Sequence, residues 1–328
     1  MMTKTMTATD DSLPPIPDFD PRRTRRAVRR GLFRTALRSA ALLLGAALLL
    51  NAGTALLQTR GDRDQRMERV LGSAFLVAHP DYTSGMSALD FGLTSMTLTV
   101  DADPVEPVPA PDEVTRRPGT AAFEITQNLL GQVTDGVYGL QTRLSGPLGL
   151  TGERTGTREE ARGQAEKVFG RLPASLLATA VVEFERPLTG EEFAAFHRDR
   201  YEQDDPTAPA HTFLLSRASG GSTYGVPFGW QSHRFGSPAT GKEEDYDPAA
   251  EGAKAVGDFR RWVGELRDHD AENLLKLGVP LKNLRAAATE GRIHGYVAAG
   301  ETVEGLREIL DDPRVRTVRL GDVAFDLS

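Results

Sequence analysis

The chain has 328 residues, of which 39% are hydrophobic, 26% are charged and none is cysteine. Its length suits about two domains, and its composition excludes a polytopic membrane protein and a wholly disordered chain. The lack of cysteine excludes disulfide scaffolds, thiolate metal sites and thiol nucleophiles. The net charge of −7 hides an asymmetry: residues 1–38 carry +5, residues 39–58 carry no charge, and the rest carries −12. A basic head, an apolar spacer and an acidic body point to membrane topology and away from nucleic-acid binding.

Residues 1–21 are polar and proline-bearing, a composition that cannot build its own core. Leu13, Ile16 and Phe19 stand in this tail as isolated apolar anchors for a partner, with an inert tail as the alternative. Residues 22–38 carry eight arginines and form a basic helix suited to anionic lipid. Ser39 to Leu57 then runs 19 residues without a charge, and a membrane span needs about 20. The spacing predicts a transmembrane helix over 39–58. Past it, Arg60, Arg63, Arg66 and Arg69 are interleaved with Asp62, Asp64 and Glu68. The denser arginine cluster precedes the span, which places the N-terminus in the cytoplasm and residues 59–328 outside. A cleaved export signal is the competing reading. Arg29-Arg30-Gly31-Leu32-Phe33 resembles a twin-arginine motif and Gly53-Thr54-Ala55 offers small residues for cleavage, but the uncharged run exceeds the usual h-region of about 7–15 residues. Ala41 and Gly45 have the spacing of a helix-dimer contact, as does any Ala/Gly-rich helix.

Arg60–Arg69 alternates in charge and continues the helix beyond the span. Residues 95–100 alternate as a strand. Five prolines between 101 and 118 mark a loop. Strands are expected over 122–130 and 137–144, and a helix over 158–169. Residues 176–185 form a strongly apolar strand ended by Pro187. Thr189 caps a helix that carries Glu191 and Glu192 in its first turn. A strand over 212–216 precedes a Gly- and aromatic-rich loop over 219–248. A helix over 257–277 ends at Gly278 and Pro280. A strand over 293–298, a capped helix over 302–310 and a strand over 315–320 complete the chain. The alternation predicts an α+β domain of β-α-β units in a sheet-with-helices sandwich, with a ferredoxin-like arrangement as one option.

Motifs for catalysis are lacking. The six histidines show no HxxxH or HxH spacing, and no GxSxG elbow is present. Ser219-Gly220-Gly221-Ser222 lacks the lysine of a phosphate loop. Residues 242–247 are acidic but lack the EF-hand pattern. Glu183 and Glu185 share a strand face, where an exposed edge is a simpler account than acid–base chemistry. No metal or cofactor is expected. Tyr224, Phe228 and Trp230 form a candidate ligand loop, with sheet cover as the alternative.

These motifs, in their order, give the chain its resemblance to the bacterial sigma factor regulator family of membrane-anchored anti-sigma factors. The resemblance rests on the arginine-rich stretch and span at 22–57, a helix over Met67–Ala78, and His79-Pro80-Asp81-Tyr82. It continues with the strand Ala178–Glu185 leading to Arg186-Pro187-Leu188-Thr189, with Tyr224-Gly225-Val226-Pro227-Phe228, and with Ile293-His294-Gly295-Tyr296-Val297-Ala298-Ala299-Gly300. Residues 1–21 and the Pro-rich loop depart from the family pattern. The resemblance implies a tail (1–38), a span (39–58), an N-terminal regulator region (59–170) and a C-terminal regulator domain (171–328). It also implies a non-enzymatic function, the sequestration of an extracytoplasmic-function-type sigma factor by the tail. Leu13, Ile16, Phe19, Arg22, Arg23, Arg25 and Arg26 would contact that sigma factor, with membrane lipids and a second membrane protein or self-association as further partners. Gly295 and Gly300 are expected at backbone turns. An exported sensor or ligand-binding domain without a sigma partner is the alternative.

Overall fold

The computed structural model describes residues 21–59, 63–92, 94–107, 121–134, 141–153, 156–200, 212–231 and 250–325. The chain divides into two compact units, Met1–Thr54 and Ala55–Ser328. The described residues of the first belong to one helix, α1 (Pro21–Thr59), which runs past the boundary at Thr54. Proline suits a first helical turn because the N–H it lacks would have no helical partner there. Within α1, Val28–Leu49 is long and apolar enough to cross a membrane, and none of it is buried. This window overlaps the expected span from Ser39 to Leu49.

The second unit is an α+β domain with two antiparallel sheets. It begins with a stem in which α2 (Arg63–Met67), one π-helical turn (Glu68–Gly72) and α3 (Ser73–Ala78) follow one another. Residues 60–62 of the expected continuation lie outside the described residues. Met67, Val70, Leu71, Ala74, Phe75, Val77 and Ala78 are all buried. Their spacing of three and four places them on one stripe of the helix.

Against this stripe lies a three-stranded sheet, β1 (Tyr82–Phe91), β2 (Ser95–Pro104) and β3 (Ala121–Asn128), in that order. Alternate residues of β2 (Met96, Leu98, Val100 and Ala102) point inward, and Leu98 pairs with Leu89 and Ile125. β2 runs on to Pro104, into the stretch expected to be loop. β1 was not foreseen, because Ser84, Gly85 and Ser87 interrupt its alternation. Of the strand expected over 137–144, only 141–144 are described, and they form an irregular turn.

After α4 (Ser145–Gly149) and α5 (Arg158–Phe169) comes the larger sheet. Its strands and helices are β4 (Leu177–Leu188), α6 (Gly190–Arg198), β5 (Thr212–Leu214), β6 (Gly229–Trp230), α7 (Glu251–Glu265), α8 (Ala271–Lys276), α9 (Leu281–Glu290), β7 (Ile293–Thr302), α10 (Val303–Asp311) and β8 (Val315–Ala324). The strand order is β6-β5-β7-β4-β8, antiparallel throughout. α6 carries the chain from β4 past β7 to β5, and α10 carries it from β7 past β4 to β8. One sheet face meets helices, as where Phe184 packs edge-on to Phe196 at 5.1 Å. On the other face, Val181, Leu214 and Val297 cluster with Leu144 and Leu148.

Local chemistry sets the helix starts. Thr157 with Glu160, and Thr189 with Glu192, form reciprocal capping boxes at α5 and α6. The Thr302 hydroxyl accepts the Gly305 N–H at α10. The helix expected over 257–277 is two helices. α7 stops at Glu265 because Leu266 is extended and the Asp270 carboxylate accepts the Arg267 N–H at 2.7 Å, a local bond that competes with the helical ladder. α9 was also missed, although Pro280 before it and left-handed Gly291 after it are its start and stop signals. Pro187 does not end β4. The strand continues to Leu188 through a register shift that leaves 184–187 without β7 partners, so the missing N–H costs no ladder bond there.

Gly300, with φ +79°, is the extra residue of a bulge in β7. Gly295 is not at a turn. It lies inside β7, where a Cβ would meet the Val182 carbonyl oxygen at 2.2 Å. Gly295→Ala is therefore expected to cost about 1–3 kcal/mol. Gly163→Ala, inside α5 with open space around it, is expected to gain about 0.5–1 kcal/mol. Denaturant midpoints that shift in opposite directions for the two variants would bear out this packing.

Candidate functional site

Of the residues expected to meet a partner, Leu13, Ile16 and Phe19 lie outside the described residues. Arg22 and Arg23 fall in the first turn of α1, and Arg25 and Arg26 are exposed further along it. The site within the domain is the place where the stem meets α7 and α8.

Arg66 of the stem pairs with Asp270 at 2.6 Å, and the Asp270 side chain is almost fully buried. Asp270 thus serves two partners, the Arg66 guanidinium and the Arg267 backbone N–H. Arg63 donates to the Leu129 and Asn128 carbonyls at 2.9 and 3.0 Å and holds the turn after β3. From α8, Asn273 accepts the Val133 N–H and donates to the Gly131 carbonyl, both at 2.8 Å. The stem, the β3 turn and α8 are therefore joined by directional bonds. Between them lies a groove of about 520 Å³ lined by Arg63, Arg66, Met67, Leu130, His269 and Asn273.

The π turn sits at the centre of this junction. Five-residue bonding widens the helix locally. Here the Trp262 indole N–H of α7 donates to the Arg69 carbonyl at 3.0 Å. Trp262 in turn packs on Trp230 and Phe259, with centroids 5.6 and 6.0 Å away. An aromatic cluster of the larger sheet thus ends on the irregular turn of the stem.

Beyond the stem, the His79-Pro80-Asp81-Tyr82 motif is buried and bonded. Asp81 accepts hydrogen bonds from Thr142 at 2.6 Å and Ser145 at 3.0 Å, which fastens the segment before α4. Burial, and then the Asp81 charge, push the Tyr82 hydroxyl up to about 12. The His79 ring stacks on Tyr224 at 5.3 Å. Tyr224 remains partly exposed, whereas Phe228 and Trp230 face the core. Of the three aromatics in the candidate ligand loop, only the Tyr224 ring is open to solvent.

Glu183 is not on an exposed face. It is buried, paired with Arg319, and accepts the Gly152 N–H at 3.0 Å, while Glu185 pairs with Arg316 at 3.3 Å. The arginines that satisfy both lie on β8, and no local sequence signal connects them to the pair. Among the described residues, no group of three or more His, Asp or Glu side chains is placed to hold a metal ion. No protein-family model, curated protein or solved structure matches the chain.

Two predictions follow from this geometry. Trp262→Phe keeps the ring packing but strips the Arg69 carbonyl of its donor, so it should lower stability by about 1–3 kcal/mol in denaturant titration. Burial holds His79 below its ordinary range against the pull of Asp81, and burial also lowers His294. Unfolded histidines bind a proton near pH 6.5, while these two bind it only at lower pH, so stability falls as pH drops below about 6.5. Denaturant midpoints should be lower at pH 5.5 than at pH 7.5, and His79→Gln should make that dependence shallower.

Proposed function

We propose that this chain is a single-pass, membrane-anchored anti-sigma factor whose N-terminal segment holds a sigma factor in the cytoplasm. The domain from the stem onward would stand outside and sense the envelope. The mechanism is sequestration without catalysis. One observation carries the reading: an arginine-rich segment passes into an unburied apolar helix, and the chain then enters a domain that buries its first helix. A helix with exposed leucines such as Leu42, Leu43, Leu48 and Leu49 loses solvation free energy in water and gains it in lipid. The arginines before it favour a cytoplasmic N-terminus. The order β5-β7-β4-β8, with α6 and α10 as crossovers, supports a ferredoxin-like core extended by β6 and the α7–α9 insertion.

In this reading a change in the outer domain reaches the membrane through the stem. Arg66–Asp270 and the Trp262–Arg69 bond tie the stem to α7 and α8. An effector that shifts those helices would have to bind the two arrangements with different affinity. A pull-down of the full-length chain from solubilised membranes, beside a variant lacking residues 2–38, tests the proposal. Recovery of a sigma factor with the full chain alone is the expected result. No sigma factor in either sample, together with a mature N-terminus near Ala55, would leave an exported domain and overturn the proposal.

A further inference from the structure

A polar pocket opens on the larger sheet, away from the stem. It measures about 330 Å³, within the range of small-molecule sites. Arg217, Ser219, Asn283, Ala287, Glu290 and His294 line it. Three separate elements supply them: the segment after β5, helix α9, and the second residue of β7. The Arg217 guanidinium makes no ion pair among the described residues. Its aliphatic stem lies against Gly152, where an added Cβ would meet it at 2.7 Å.

His294 is 93% buried, and its Nε2 has no hydrogen-bond partner among the described residues. Glu290 Oε1 lies 3.3 Å from that nitrogen, one helical turn earlier in the chain. Burial also holds the imidazole below its usual range, against the pull of Glu290.

The charges select the ligand. A free anion would meet Arg217 but be repelled by Glu290, and a free cation would meet the reverse. A molecule carrying both charges satisfies both groups at once. We propose that this pocket binds a small zwitterion, a free amino acid or short peptide, with its carboxylate on Arg217 and its ammonium on Glu290. Ala286 and Ala287 leave room for a small side chain on the helical wall. An arginine–carboxylate fork and a charge-assisted bond to Glu290 are each among the stronger polar contacts available. This site stands independently of the anti-sigma reading, since the ligand contacts none of the residues proposed to meet a sigma factor.

The test is calorimetric titration of the full-length solubilised chain with alanine and with dialanine. The controls are N-acetylalanine, which lacks the ammonium, and alanine amide, which lacks the carboxylate. Saturable binding of alanine or dialanine is expected, weakened tenfold or more by either control modification. Arg217→Gln and Glu290→Gln should each weaken binding tenfold or more. Their side chains are surface-reachable, so an unchanged denaturant midpoint would show that the loss is not unfolding. Absence of saturable heat up to about 50 mM, or equal binding of the two controls and dialanine, would overturn the proposal. So would full binding by both glutamine variants.

Discussion

The stem is the element on which the rest of the domain is built. Seven of its residues from Met67 to Ala78 are buried, and burying a side chain such as Leu71 or Phe75 contributes about 1.5–3 kcal/mol. β2 and β3 pack on one side of that stripe through Leu98 and Phe123. Just past its end, Pro80 approaches Gly229 of β6 so closely that a Cβ there would meet it at 2.5 Å. The chain from Met67 to Ala78 is therefore core, not linker. The stem cannot shift without disturbing the packing of both sheets.

Polar bonds determine where along the stem this packing is registered. The Arg69 carbonyl, inside the π turn, accepts the Trp262 indole N–H, which ties α7 to that point of the stem. Arg66 and Arg63, one turn earlier, each reach a different structure, the first Asp270 and the second the β3 turn. Such directional contacts contribute less free energy than the apolar stripe, but they specify one arrangement among several that the stripe would tolerate.

Much of the larger sheet was legible in the sequence because its elements carry local signals. Thr189 announces its helix by side-chain capping, a capped helix was expected over 302–310, and residues 176–185 read as a strand from their apolar run. The misses share a physical cause. The break after Glu265 depends on Asp270, whose role needs Arg66 from 204 residues away. β1 is held by pairing with β2 despite its serines and glycine. Gly295 looked like a turn residue, while its requirement is the close approach of the neighbouring strand. Glu183 looked exposed because its partner, Arg319, lies on the last strand. The basic and apolar segments were plain from composition alone, and composition is blind to the groove at the stem and the pocket on the sheet.

The account makes the stem and the domain one cooperative body, so that any signal received by the domain must be felt by the stem. Amide hydrogen exchange on the full-length chain tests this most directly. Amides of Met67–Ala78 should open with the same free energy as those of β4 and β7, which is the behaviour of core elements. Exchange of the stem as a separate unit of low stability, while the strands stay protected, would contradict it.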